Sequence, residues 1–392
     1  MPGKTAAERR ALAAVRATVT GVFEAAGFEL IEPEVLQPAD VFLDRSGEDI
    51  RSRTYVFADL SGNELCLRPD LTVPTCRYHL SHKDDPRTEA RYAYTGPAFR
   101  YEPPGADSLH PREFDQAGVE WFGASDAEAA DAAVFALAIA SLRAAGLKTF
   151  SVKTGDLALF EALLASLDIP DRWRTKLRRQ FWRPRAFRVL LDVLTGRAAR
   201  ARSTSVQLAQ SLGRASPAEA TAFVEKTLEE RGLDLVRGRS AAEIAERLSE
   251  QAQDLVETPI SARDSSMIDA YLAIRGRPDA VIGALEGLGA EVGGTFPAAV
   301  AALKRRVALV EAAVPGLADV EFSTVFGRSL EYYTGFVFQI EVPGPDRLPV
   351  SVVGGGRYDT MLSDIGSPWP VPSVGFAIHT ERLVAATQAG SA

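Results

Sequence analysis

Cysteine, histidine and positive charge are all in short supply in this sequence. Its two cysteines, Cys66 and Cys76, can close at most one disulfide. That excludes a disulfide framework, and free thiols in a reducing compartment fit them best. Its four histidines, His79, His82, His110 and His379, make no His/Cys cluster at zinc spacing, so no metal site is expected. Acidic residues outnumber Lys and Arg by 52 to 44, a formal net charge of −8. The surface as a whole therefore lacks the basic footprint of a nucleic-acid binder, although a local basic patch is compatible with that sum. No apolar run reaches membrane-spanning length, and the charged N-terminal stretch lacks the apolar centre of a signal peptide. The expectation is a cytoplasmic protein that works away from membranes and without a cofactor.

What the chain does contain is an ordinary globular balance. Its 392 residues are 46% hydrophobic and 24% charged, enough for a large core and two domains. Residues 5–26 read as a helix, with Leu12, Val15, Val19, Val22 and Phe23 at helical spacing and Gly27 placed to end it. Phe28 to Pro33 reads as a short strand. Arg53 to Leu67 reads as a hairpin turning at Ser61, Gly62 and Asn63. Arg91 to Tyr101 and Phe114 to Phe122 are strand candidates joined by a Pro/Gly-rich loop. An alanine-rich helix follows from Asp126, its candidate cap, to Ala145. From Asp156 to Ala313 the texture changes to Ala, Leu, Arg and Glu with helical periods. Strand signals return at 320–325, 333–342, 350–353 and 373–378, and a last helix begins at His379. The fold class is α+β: an antiparallel sheet with flanking helices, interrupted by a mostly helical insertion. No internal repeat is visible.

Several short segments carry more chemistry than a core or a turn needs. In a strand over Phe114 to Glu120, Gln116, Gly118 and Glu120 share a face. Two polar groups flanking a glycine make a ligand floor, since glycine admits close approach, but the same pattern suits the solvent face of a sheet. Asp70 and Thr72 can accept hydrogen bonds from an ammonium group, or can cap the helix that follows. Around Arg328, Glu331, Tyr332 and Tyr333, an arginine matches a carboxylate and the tyrosines offer a flat wall. A surface salt bridge with ordinary tyrosine packing fits the same residues. The run Gly354 to Gly356, before Arg357, Tyr358 and Asp359, can cradle a phosphate, pass close to a ligand, or simply turn. Arg100 and Arg112 lie at strand ends, where each can face an anion or water.

Taken in order, these segments resemble the class II aminoacyl-tRNA synthetases, histidyl-tRNA synthetase above all. FELIEPEVLQP (28–38) is similar to motif 1, the family's dimer interface. Phe99 to Glu120 (FRYE…REFDQAGVE) is similar to motif 2, and GFAIHTERL (375–383) to motif 3. RSLEYY (328–333) and GGGRYD (354–359) resemble the two segments peculiar to histidine-binding members. The resemblance covers residues 5–150 and 318–388. It implies a class II synthetase-like sheet, with residues 1–155 as its first part, 156–315 as the helical insertion and 316–392 as its second part. It also implies a histidine pocket. Asp70 and Thr72 would meet the ligand's ammonium, with Gln116 nearby; Asp70 is shorter than the family's usual glutamate. Glu120 would take an imidazole N–H, Tyr333 would contact the ring, and Tyr332 and Tyr358 would shape the pocket. Arg328 would hold the carboxylate side, and Arg100 corresponds to the family's contact to the ATP α-phosphate.

Three departures bear on function. Only a few residues follow motif 3, so no anticodon-binding domain is expected. The motif 2 loop, Pro103 to Pro111, lacks the basic residues that engage ATP and the tRNA end. Motif 3 carries His379 and Thr380 where the family has glycine, and an imidazole there should crowd the adenine site although Arg382 persists. That combination resembles the synthetase-like regulatory subunits of short-form ATP phosphoribosyltransferases. The resemblance implies a subunit that is not itself catalytic. It would bind L-histidine, activate and feedback-regulate its partner in the first step of histidine biosynthesis, and dimerise through motif 1 within a hetero-octamer. A minimal histidyl-tRNA synthetase served by a separate anticodon-binding protein is the alternative. The basic stretch Arg172 to Arg202 reads as a solvated helix face over Trp173, Phe181 and Trp182, or else as a protein or RNA contact.

Overall fold

A computed structural model describes residues 3–43, 52–102, 111–198, 208–209, 212, 215–230, 240–317, 319–327, 332–344 and 348–389. The chain divides into two compact units, one of Met1–Ser166 with Ile268–Ala392, the other of Leu167–Met267.

Helix α1 (Ala6–Ala25) starts at a capping box, in which Thr5 Oγ1 accepts from Glu8 N at 3.3 Å and Glu8 Oε2 accepts from Thr5 N at 2.6 Å. Gly27, at φ +83°, takes the left-handed turn that ends it. Next come β1 (Glu29–Ile31), β2 (Leu36–Pro38), α2 (Asp40–Leu43), β3 (Tyr55–Ala58), β4 (Glu64–Leu67) and α3 (Thr72–His82). The long strands β5 (Ala90–Phe99) and β6 (Glu113–Phe122) lead to α4 (Ala127–Ala144), capped as expected by Asp126, whose Oδ1 accepts from Ala129 N at 3.0 Å. Strand β7 (Ser151–Asp156) and helix α5 (Leu157–Ser166) close this first stretch.

The second unit is helical: α6 (Asp171–Gln180), α7 (Pro184–Leu194), α8 (Pro217–Glu230) and α9 (Ala241–Val256). Trp173 and Phe181 are buried in it, whereas Trp182 is only half-buried. Arg172 and Lys176 both pair with Asp254, and Trp173 Nε1 donates to Thr258 O at 2.7 Å. The start of the basic stretch thus combines an apolar face with ion pairs inside its own unit. Helix α10 (Ala262–Ala273) carries the chain back to β8 (Arg275–Gly276), α11 (Pro278–Val292), α12 (Phe296–Ala313), β9 (Val320–Ser323), β10 (Phe336–Pro343), β11 (Pro349–Arg357), α13 (Met361–Asp364), β12 (Ser373–His379) and α14 (Thr380–Ala389).

A nine-stranded sheet in the order β1-β5-β6-β12-β11-β10-β7-β9-β8 organises the first unit. Its central pairs are antiparallel; β1–β5 and β7–β9 are parallel. A small sheet, β2-β4-β3, stands apart from it. One face of the large sheet buries Val119, Phe338, Phe376 and Ile378 against Val19 and Phe23 of α1, Phe135 and Ile139 of α4, and Leu383 of α14. The other face carries Tyr94, Gln116 and Glu120, all of them buried.

Two expectations change. The separate helical unit, Leu167–Met267, is narrower than residues 156–315, because β8 hydrogen-bonds to β9 at the end of the large sheet and α12 packs on α4. Helical composition alone does not separate helices that cover a sheet from helices that form their own core. The glycines Gly354 to Gly356 are neither a turn nor a phosphate loop but the body of β11, between β10 and β12. A β-carbon on Gly355 would lie 2.5 Å from the Phe338 ring, and one on Gly356 would lie 2.9 Å from the Tyr333 ring. These glycines therefore serve close packing on both faces of the strand.

Candidate functional site

Strand register builds the floor of a cavity. Gly375 pairs with Glu120, Ala377 with Gly118 and His379 with Gln116. Gly354 pairs with Ala377 and Gly356 with Gly375. Alternate residues of three neighbouring strands thus face one side. Small residues in the middle leave room, and polar side chains rise at the edges. The cavity holds about 210 Å³, below the roughly 300–1,000 Å³ typical of drug-sized ligands and suited to one small metabolite. Around it stand Asp70, Thr72, Arg100, Gln116, Glu120, Tyr332, Tyr333 and Tyr358.

Glu120 is fully buried in its wall. Tyr94 Oη donates to its Oε1 at 3.0 Å and Tyr358 Oη donates to its Oε2. Burial pushes its carboxyl up to about 8, against the pull of hydrogen bonds from Tyr358, Thr72 and Tyr94, and neighbouring Asp70 adds to the rise. The close fit depends on glycine, since a β-carbon on Gly375 would overlap Glu120 Oε2 and the Val119 carbonyl. Tyr332, Tyr333 and Tyr358 pack mutually, with centroids 4.7, 5.6 and 6.4 Å apart, and wall one side.

Asp70 holds the start of a helix and also lines the cavity. Its Oδ1 accepts from Val73 N at 3.2 Å in the first turn of α3. Burial raises its carboxyl, with Arg100 and the backbone N–H groups of Val73 and Thr72 opposing the rise. Arg100 Nε donates to Pro69 O at 2.9 Å, and its guanidinium lies 5.2 Å from the Phe114 ring centre. Gln116 Oε1 is buried and, among the described residues, has no hydrogen-bond partner. The cavity therefore carries both signs of charge. Asp70 and Glu120 supply carboxyl groups. Arg100, which acts on Asp70, and Arg382 supply positive charge, and Arg53 is paired with Glu102. A small zwitterion such as an amino acid matches that mixture of charges.

The structure thus brings eight of the nine candidate residues to one cavity; Arg328 lies outside the described residues. So does the motif 2 loop, apart from Pro111. His379 lies against Phe114, rings 4.7 Å apart and 16° from parallel. Sequence reasoning missed Tyr94, Gly375, Arg53 and Glu102. Tyr94 sits opposite Gly118 and Gly375 opposite Glu120, and both matter through cross-strand register, which local alternation does not reveal. A larger cavity of about 410 Å³ lies elsewhere, among Phe135, Leu303, Val310, Phe322 and Phe336. Its mostly apolar walls would strip hydration from a zwitterion without replacing it.

Comparison with known proteins agrees with this architecture. The family profile described as Histidyl-tRNA synthetase matches residues 5–222 and 219–383. A protein of Brucella anthropi named ATP phosphoribosyltransferase regulatory subunit is 36% identical over 356 residues, 91% of this chain and 92% of its own length. One of the same name from Mesorhizobium japonicum is 34% identical over 378 residues, 96% of this chain and 98% of its own. Among solved structures, an ATP phosphoribosyltransferase regulatory subunit/histidyl-tRNA synthetase from Bacillus halodurans superposes with a TM-score of 0.66 at 24% identity, over 99% of this chain and 82% of that one. A histidyl-tRNA synthetase from Nostoc gives 0.64 at 18% identity, over 100% and 74%.

Proposed function

This chain belongs to the histidyl-tRNA synthetase family, among the ATP phosphoribosyltransferase regulatory subunits, and from that premise we propose that it binds L-histidine and regulates a short-form ATP phosphoribosyltransferase catalytic subunit. The observation that carries the ligand is the convergence of Asp70, Thr72, Gln116 and Glu120 with three tyrosines and Arg100 around one small cavity. Asp70 and Thr72 take the ammonium, Glu120 an imidazole N–H, and the tyrosines the ring. Arg100 takes the carboxylate, a role that the resemblance implies for Arg328 as well. A site that hydrogen-bonds the imidazole rejects phenylalanine by a factor on the order of 10⁴, because its buried polar groups would be left unpaired.

The subunit is a regulator rather than an enzyme. The His379 imidazole stacks on the Phe114 ring, and at this motif 3 position it would crowd the adenine site that the synthetase resemblance implies, which favours loss of amino-acid activation. Histidine can then act on the partner only through different affinities in two states of the assembly. The expected assembly is a cytoplasmic hetero-octamer built on a motif 1 dimer of this chain.

The test mixes the purified protein with a short catalytic subunit, with and without L-histidine. Stimulation by this chain, reversed by histidine, is the expected result. Robust histidine-dependent exchange of pyrophosphate into ATP, with charging of histidine tRNA, would instead establish a minimal synthetase.

A further inference from the structure

The face of the large sheet turned away from the cavity carries a buried ionic cluster that the ligand reading does not use. Asp131, in the second turn of α4, is fully buried. Its Oδ2 accepts from Arg306 Nε at 2.7 Å, and its Oδ1 accepts from Arg357 Nε at 2.9 Å and Nη2 at 2.7 Å. Arg306 also pairs with buried Asp156. Arg357 reaches further, to Ala127 O at 2.9 Å and Asp359 Oδ1 at 2.8 Å. Asp359 in turn accepts from Ser373 N at 2.9 Å, and its own N–H donates to Thr334 Oγ1 at 3.0 Å.

The residue between Arg357 and Asp359 is Tyr358, which donates to Glu120 in the cavity wall. Both chain neighbours of Tyr358 are held by charge on the helix side of the sheet. Its own N–H is tied to Ser373 O at 2.8 Å. A side chain pinned on both flanks has little freedom to swing its hydroxyl. Buried ion pairs contribute little to net stability compared with apolar packing of the same volume, so a stabilising role alone is a weak account of this cluster. We propose that Asp131 is a positioning residue of the ligand pocket: through Arg357 and Asp359 it fixes the Tyr358 hydroxyl on Glu120, and so sets which carboxylate lone pair faces the ligand. The proposal deepens the histidine reading and rests on it for its affinity readout.

A double-mutant cycle on the full-length chain tests it, with L-histidine affinity measured by calorimetry. Asp131→Asn and Asp359→Asn are each made alone and together with Tyr358→Phe. Alone, Asp131→Asn is expected to weaken binding about tenfold, the scale of one charge-assisted hydrogen bond. Asp359→Asn is expected to weaken it several-fold. With Phe at position 358 both losses should vanish, because the group being positioned is gone. A merely structural role would lower the melting temperature and give the same loss in both backgrounds, and that result overturns the proposal, as does no loss at all. Should Asp131→Asn fail to fold, Asp359→Asn, at a half-exposed site, carries the cycle. If the wild type binds no histidine, the functional reading fails separately. A crystal structure of Asp359→Asn then decides the positioning claim: a Tyr358 hydroxyl still seated on Glu120 refutes it.

Discussion

Glu120 concentrates the chemistry of this molecule in one carboxyl. Its ordinary value of 4.5 is pushed up to about 8 in the folded chain. The folded state therefore holds a proton between those values that the unfolded chain releases. The stabilisation is fully present below about pH 4.5 and is lost as pH rises through about 8, in total on the order of a few kcal/mol. Melting temperatures measured from pH 5 to 8 should fall with pH in the wild type and fall less in Glu120→Gln. Equal slopes would show that Glu120 is not the group responsible. Glu120→Ala, which also removes the proposed imidazole partner, should weaken histidine binding by roughly 1–3 kcal/mol in calorimetry. Gly375→Ala is expected to do more, since its methyl would collide with both Glu120 and the Val119 backbone; binding should be abolished and the melting temperature lowered.

At the scale of elements, the start of α3 does two things with one residue. Asp70 accepts from a backbone N–H of the first turn while facing the cavity. Asparagine keeps the acceptor and drops the charge; alanine drops both. Asp70→Asn should leave stability within about 0.5 kcal/mol of wild type. Asp70→Ala should lose about 1 kcal/mol more. Both should weaken histidine binding, so denaturant melts and calorimetry would separate the two roles. A large stability loss in Asp70→Asn would contradict this division. The sequence shows this site because the cap pattern is local. It likewise shows the shared face of Gln116, Gly118 and Glu120, because strand alternation is local. It hides Tyr94, whose importance arises only when β5 aligns beside β6 and brings it opposite Gly118. It also hides the nature of Gly354 to Gly356: glycine loses the most conformational freedom in a strand, so local propensity argues for a turn, while tight packing against Phe338 and Tyr333 requires the strand.

At the scale of the whole molecule, the distribution of cores decides which parts the proposed ligand needs. The main core and every described cavity residue belong to the unit of Met1–Ser166 and Ile268–Ala392. The helices of Leu167–Met267 bury an apolar cluster of their own, with Ala220, Val224, Ala245 and Leu248 among its members. Composition blurred this boundary, because α11 and α12 have the same Ala- and Leu-rich texture as the insertion, yet α12 sends Arg306 to Asp131 under the sheet. If a ligand site depends on the core that shapes it, histidine binding should survive without the second unit. Replacing residues 167–267 by a flexible Gly/Ser linker is expected to leave histidine affinity within a few-fold of wild type in calorimetry. The same variant separates sensing from transmission. Should it bind histidine but no longer stimulate or inhibit a catalytic subunit, the helical unit carries the signal outward. Should it fold, by its circular dichroism, and yet bind no histidine, the pocket is not the self-contained product of the sheet's register that its geometry describes.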